Sequence, residues 1–148
     1  MRTARQLLNA LLGAMVRQPE AALPLFADDG VYEAPYLESL GLPWRYRGRD
    51  EVGRFLDATR ELFPRPEFHD VAIVAEVTDR VVAEYQLTAR STRTARMIHQ
   101  LIVGRLESAD GKITLLRESV NLVELALALY PHGLADYRLP SDRVIRDP

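Results

Sequence analysis

The second half of the chain is a run of β-type segments cut at regular intervals by turn residues, and this limits the fold more than any other feature. Residues 67–77, 81–92, 95–108 and 112–123 read as strands rich in aliphatic and aromatic side chains. Asp79-Arg80, Ser91-Thr92-Arg93 and Asp110-Gly111 separate them. The last pair is strong hairpin chemistry, because Asp and Gly both tolerate the positive φ that a tight turn demands. Strands joined by short turns form a meander, and a meander with one apolar face needs cover from elsewhere in the chain.

The first half supplies that cover. Leu7, Leu8, Leu11, Leu12 and Met15 recur at helical spacing with Arg5, Gln6, Asn9 and Arg17 between them, which predicts an amphipathic helix over 3–17 rather than a signal peptide. Pro19 is placed to open a second, short helix ending near Asp28. Asp28-Asp29-Gly30 then reads as a turn, VYEAPY as a short strand ending at Pro35, and 37–48 as a loop. Residues 49–63 carry Val52, Phe55, Leu56, Thr59, Leu62 and Phe63 on one stripe, a helix stopped by Pro64 and Pro66. Helices first and strands afterwards define an α+β domain, with about three N-terminal helices packed on one face of a curved antiparallel sheet. It is expected to span 1–130, followed by a proline-containing tail, 131–148, that is a loose arm or covers a neighbour.

Composition narrows the functions. A chain of 148 residues, 47% hydrophobic, supports one core, and a net charge of −2 offers no broad basic surface for nucleic acid or for an anionic membrane. No apolar run reaches the roughly 18 residues of a membrane span. The sequence has no cysteine, which rules out disulfides, thiolate catalysis and cysteine-held metals. Three dispersed histidines without ligand spacing, and no glycine-rich phosphate loop or Gly-x-Ser-x-Gly elbow, give no support for a metal or an organic cofactor. A cytoplasmic protein is expected. Lys112 is the sole lysine beside many arginines, a usage that fits a GC-rich bacterial genome.

The order of elements, with LFADDGVYEAPY, YRGRDEVGRFL, ELFPRPEFHDV and DGKITLLRESVNL, resembles the ketosteroid isomerase-like superfamily, which includes the SnoaL-like polyketide cyclases. Within it the chain is similar to the phenazine-biosynthesis A/B family from about Leu25 to Leu129. The resemblance implies a cone-shaped barrel, open at one end, in which one or two polar side chains act on a small organic molecule. It also implies a homodimer formed through the outer face of the sheet, for which the strand 81–89 has apolar residues on one side and Glu84, Gln86 and Thr88 on the other. The phenazine family's general-acid glutamate falls on Glu118 and a pocket serine on Thr59, but its active-site histidine falls on Phe55 and a substrate-holding arginine near Ala22. The proton-abstracting aspartate of ketosteroid isomerases is replaced by Ala34.

Glu118 is therefore the first candidate. Leu116 and Val120 share its face under strand alternation, and a carboxyl group in an apolar pocket has its charged form disfavoured, so its pKa moves toward neutrality. The alternative is a solvated glutamate paired with a cross-strand arginine. His99 is the second, as an acid/base partner for Glu118 or as a core histidine satisfied by backbone. His69 and His132 are expected at the surface, and Arg93 and Arg96 at a solvated hairpin end. Tyr32, Tyr36, Trp44 and Tyr46 gather around the implied mouth of the cone, where aromatic walls suit a flat ligand. Asn121 either orients Glu118 or ends its strand.

Two functions follow. One is a cofactor-independent isomerase, cyclase or dehydratase acting on a small hydrophobic or aromatic intermediate, as in bacterial secondary metabolism, with Glu118 and His99 as catalytic groups and Phe55, Thr59, Asn121 and the aromatic set binding substrate. The other is a non-catalytic ligand-binding or dimerisation module of the same fold. The environment of Glu118 separates them.

Overall fold

The fold was analysed in a computed structural model, which describes residues 1–137. Helix α1, Ala4–Arg17, begins at Thr3, whose hydroxyl accepts from the Gln6 amide while the Gln6 side chain accepts from Thr3 N–H. This reciprocal cap satisfies donors that a helix end leaves open. The predicted stripe is the buried one: Leu7, Leu8 and Leu11 are almost fully enclosed, each contributing about 1.5–3 kcal/mol by leaving water.

Pro19 opens a short 3-10 turn, Pro19–Ala21, and a second follows at Leu23–Leu25. The predicted helix to Asp28 is thus cut short, because strand β1, Phe26–Glu33, has already begun. Asp28-Asp29-Gly30 is not a turn but an irregularity inside β1, whose register shifts between Phe26 and Val31. Gly30 is required there by proximity. A Cβ on it would lie 2.8 Å from the carbonyl oxygen of Ile113, too close for any other residue. Next come a 3-10 segment, Pro35–Leu40, and the short strand β2, Arg45–Arg47, where a loop was expected.

Helix α2, Gly48–Leu62, carries Asp50 and Glu51 in its first turn, where acids complement the helix dipole, and ends before Pro64. Strands β3 (Glu67–Val77), β4 (Arg80–Arg90), β5 (Met97–Ala109) and β6 (Lys112–Ser119) follow. Asp110 and Gly111, with φ of 50° and 71°, make the expected turn between β5 and β6. The strand predicted to run to 123 stops at Ser119, and a helix the sequence reading missed, α3 (Leu122–Leu129), takes over.

The strands form one six-stranded sheet in the order β2-β1-β6-β5-β4-β3. It is curved and mostly antiparallel, but it is not a closed barrel, and β1 pairs with β6 in parallel, the chain between them running through β2, α2 and β3 to β5. In β4 the odd residues Val81, Ala83, Tyr85, Leu87 and Ala89 point inward. The apolar side of this strand is therefore the core side, not the outer face expected for pairing, and Glu84, Gln86 and Thr88 face outward.

Helix α3 is fastened at both ends. Asn121 caps its start, accepting from the amides of Val123 and Glu124 at 3.0 and 3.3 Å. At its other end Ser91 Oγ donates to the carbonyl of Ala128 (2.7 Å) and Thr94 Oγ1 to that of Leu127 (2.8 Å). Arg96 adds hydrogen bonds to the carbonyls of Leu127 and Tyr130, so this arginine of the β4–β5 connection holds a helix terminus, while Arg93 is exposed. Of the predicted tail, Gly133–Asp136 forms a 3-10 turn, and 138–148 lie outside the described residues. No helix among the described residues is long and apolar enough to cross a membrane.

Candidate active site

Between the concave face of the sheet and the three helices lies a cavity of about 260 Å³. Phe26, Phe55, Phe63, Ile102 and Leu116 typify its wall, and Leu125 and Leu129 of α3 close one side. Its polar groups come from Tyr32, Tyr46, Thr59, Gln100 and Glu118, and among the described residues no Lys, Arg or His lines it.

Glu118 is set by pairing. Its backbone lies opposite Gly104 of β5, and its side chain turns to the concave face, where part of its surface meets the cavity while protein surrounds the carboxyl group. Each oxygen accepts one phenol. Tyr32 of β1 donates to Oε2 at 2.7 Å, and Tyr85 of β4 donates to Oε1. Burial raises the carboxyl pKa, and the Tyr85 and Tyr32 hydrogen bonds pull against that rise because they favour the charged form. Burial, reinforced by the adjacent carboxylate, lifts both phenols well above the ordinary tyrosine range, so they remain protonated donors.

The two tyrosines approach from opposite sides. Tyr32 lines the cavity and stacks on Phe55 with ring centroids 3.9 Å apart. Tyr85 is fully enclosed behind the cavity wall. Its ring passes over Gly104, where an added Cβ would come within 2.6 Å of the hydroxyl. The absent side chain at Gly104 is what lets Tyr85 cross β5 and reach β6. Tyr85 was not singled out in the sequence, since an aromatic in an alternating strand looks like ordinary packing. The glycine opposite Glu118 is the one signal that could have pointed to it.

Of the other predicted residues, Phe55, Thr59 and Tyr46 line the cavity, and the Tyr46 hydroxyl donates to the Pro43 carbonyl at 3.2 Å. His99 does not. It sits on the outer face, exposed, with Nδ1 3.3 Å from Thr88 Oγ1, which also contacts His69. Strand alternation puts its neighbours Ile98 and Gln100 inward instead, so His99 is not the partner of Glu118. Tyr36 is 56% exposed and outside the cavity, and Trp44 packs against the core without reaching it. Asn121 ends the strand and caps α3, with its side-chain oxygen occupied by backbone amides rather than by Glu118. His132, like His69, is exposed. Among the described residues no three His, Cys, Asp or Glu side chains gather as metal ligands would.

Gln100 was missed. It is 4% exposed, lines the cavity, and its Oε1 accepts the Asn121 N–H at 3.2 Å. Glu33, also 4% exposed, shows the contrasting fate of a buried carboxylate: Arg45 lies 3.1 Å and Arg117 2.5 Å from its two oxygens. That is a structural ion cluster. Among the described residues Glu118 has no such cation.

An open, helix-covered curved sheet enclosing an apolar cavity is the fold of the NTF2 and ketosteroid isomerase-like type. The SnoaL-like domain family matches residues 5–116, and the chain belongs to it. Solved structures agree on the fold. A candidate isomerase from Bacillus subtilis superposes with a TM-score of 0.76 at 20% identity, covering 84% of this chain and 91% of that one. A phenazine biosynthesis-related protein from Pseudomonas aeruginosa gives 0.74 at 17% identity, covering 98% and 92%. A candidate polyketide cyclase from Xanthomonas campestris gives 0.69 at 23% identity, covering 82% and 93%. No curated protein matches the sequence.

Proposed function

We infer that the chain is an enzyme that moves a proton on a small organic molecule without a cofactor, as an isomerase, cyclase or dehydratase, with Glu118 as general acid/base. One observation carries this: a carboxyl group with no paired cation among the described residues, its pKa raised by burial, faces an apolar cavity that can hold a ligand. Such a group holds its proton more readily than an exposed carboxylate and can give it up to, or take it from, a ligand. Tyr32, which also lines the cavity, supplies a hydrogen bond to a developing enolate oxygen or to the ionised Glu118. Tyr85 acts from behind as a positioning residue, fixing the carboxyl plane. The names of the structural neighbours, an isomerase and a polyketide cyclase among them, support this class of reaction.

The test uses a compact ketone with acidic α-hydrogens, 2-tetralone, in D2O. Wild type should accelerate hydrogen–deuterium exchange at the α-carbon, and Glu118→Gln, which keeps shape but removes the acid, should lower the rate by about 10²–10⁴-fold. Exchange no faster with wild type than with Glu118→Gln refutes the catalytic reading and leaves ligand binding as the role of the cavity.

The partner proposed for the outer face is a second copy of the chain. Met97, Leu101 and Val103 of β5 are 45%, 58% and 39% exposed near the middle of the sheet, an apolar stripe of the kind that marks an interface. Glu84, Arg105 and Arg117 flank it, and mixed charges can pair across a two-fold axis.

A further inference from the structure

The cavity has two polar ends rather than one. Glu118 lies beside Gly104 of β5, and Gln100 projects from the same face of the same strand four residues earlier, about 13 Å along it. Ile102 lies between them as apolar floor, and aromatic and aliphatic side chains form most of the remaining wall, with the Thr59 and Tyr46 hydroxyls its other polar groups.

The orientation of the Gln100 amide follows from its partner. The Asn121 N–H can only donate, so the oxygen of Gln100 must face it, and the NH2 group is the part left for the cavity. The far end therefore offers a hydrogen-bond donor. The near end offers Glu118 and the Tyr32 hydroxyl.

The charge of the occupant is constrained as strongly. With no Lys, Arg or His in the wall among the described residues, an anionic ligand would bring its charge into an apolar site beside a carboxyl group, with none of these residues to balance it. A cation would find one counter-charge, Glu118, but burial favours the neutral form of that carboxyl group and both of its oxygens already accept a phenol, so an ammonium group would have to compete with Tyr32 and Tyr85. Phe55 stacks on Tyr32 and packs against Tyr46 at centroid distances of 3.9 and 4.8 Å, so the inner faces of this aromatic set are not open to it.

Building on the proton-transfer reading, we propose that the cavity selects an uncharged, elongated molecule of about two fused rings, with a carbonyl oxygen at the Glu118 end and a second oxygen acceptor held by Gln100. Gln100 is then the residue that sets ligand length and register. A molecule held at one end only would slide along the apolar floor, and anchoring both ends keeps the carbonyl in line with the acid.

Four naphthalene probes test this by calorimetric titration at pH 8: 6-methoxy-2-acetylnaphthalene, its carboxylate analogue 6-methoxy-2-naphthoate, its ammonium analogue 6-methoxy-2-naphthylmethylamine, and 2-acetylnaphthalene, which lacks the distal oxygen. The expected result for wild type is binding of the methoxy ketone at least tenfold tighter than of either charged analogue, and about three- to tenfold tighter than of 2-acetylnaphthalene. Gln100→Glu keeps an oxygen for Asn121 but removes the donor, and should abolish the difference between the two ketones.

A carboxylate or ammonium probe within threefold of the methoxy ketone overturns the proposal, as does the absence of saturable ketone binding. An equal methoxy advantage in wild type and Gln100→Glu overturns the role of Gln100. These comparisons on wild type need no variant to fold. They are also independent of turnover: ketone selectivity without proton exchange would sink the catalytic reading and leave the ligand class standing.

Discussion

Gly104→Ala is the sharpest test of how the site is built. The new methyl carbon would stand 2.6 Å from the Tyr85 hydroxyl, 2.9 Å from Cε1 and 3.1 Å from Cζ. Relaxing the first of these to an ordinary contact of about 3.4 Å moves the hydroxyl by about 0.8 Å, and the ring is fully enclosed, with Phe68 edge-on at 6.1 Å. Overpacking of this kind costs about 1–3 kcal/mol. Drawing the phenol off Glu118 removes a hydrogen bond to an ionisable group, which adds about 1.5–3 kcal/mol. A combined loss of about 2.5–6 kcal/mol lowers the melting temperature by roughly 8–20 °C in a domain of this size. The hydrogen bond from Tyr85 opposes the rise of the Glu118 pKa, so its loss drives that pKa higher still. Thermal unfolding and carboxyl ¹³C titration of labelled glutamate read both effects. Tyr85→Phe removes the hydroxyl that the methyl would strike, so the Gly104→Ala/Tyr85→Phe double variant should be more stable than the sum of the two single losses by about 1 kcal/mol or more. Strict additivity, or a Gly104→Ala protein with unchanged melting and Glu118 titration, refutes the claim that this glycine opens the lane between Tyr85 and Glu118.

The pH dependence of Glu118→Gln has a definite sign. A carboxyl whose pKa is higher folded than unfolded binds more protons in the folded state, so wild type loses stability as pH rises from the ordinary carboxylate value of 4.5 through the raised folded value. Glutamine has nothing to ionise. Relative to Glu118→Gln, wild type should lose stability in urea unfolding as pH rises above that ordinary value, with a slope of at most about 1.4 kcal/mol per pH unit, and level off once the folded carboxyl is ionised; a constant difference would contradict the raised pKa. Asn121→Ala removes the cap of α3 and should cost about 1 kcal/mol, with faster hydrogen exchange at the Leu122–Leu125 amides; unchanged exchange would mean that the cap does not hold the helix. Leu101→Glu, on the outer face, should shift the protein toward monomer in light scattering while leaving binding in the cavity intact, and an unaltered mass would remove this face as the pairing surface.

Periodicity and punctuation made much of the fold legible. Helix α1 and strands β3 to β6 fall near their predicted places because their apolar spacing and turn residues agree. The failures have local causes. Asp28-Asp29-Gly30 carries turn chemistry, yet pairing with β6 holds it in a strand, and Gly30 is there for a close approach that only the fold reveals. Leu122–Leu129 followed a strand without a break in hydropathy, so the cap at Asn121 was read as strand. His99 was a candidate through the family resemblance, and nothing in its strand could correct that: Ile98 and Ile102 point in, but Met97, Leu101 and Val103 point out, so hydrophobicity does not distinguish the faces of β5. Glu118, by contrast, was flanked by Leu116 and Val120, both of which do line the cavity.

The mooring of α3 has a kinetic consequence. With its first turn tied to Asn121 and its last carbonyls gripped by Ser91, Thr94 and Arg96, this wall behaves as masonry and not as a door. Pro43, beside Leu42 and the 3-10 segment, and Ala58 of α2 are the cavity-lining residues that also stand in open water. A guest that enters without moving α3 would pass one of these two rims, and its residence time would then be set at Leu42–Pro43 or at Ala58 rather than by the moored helix.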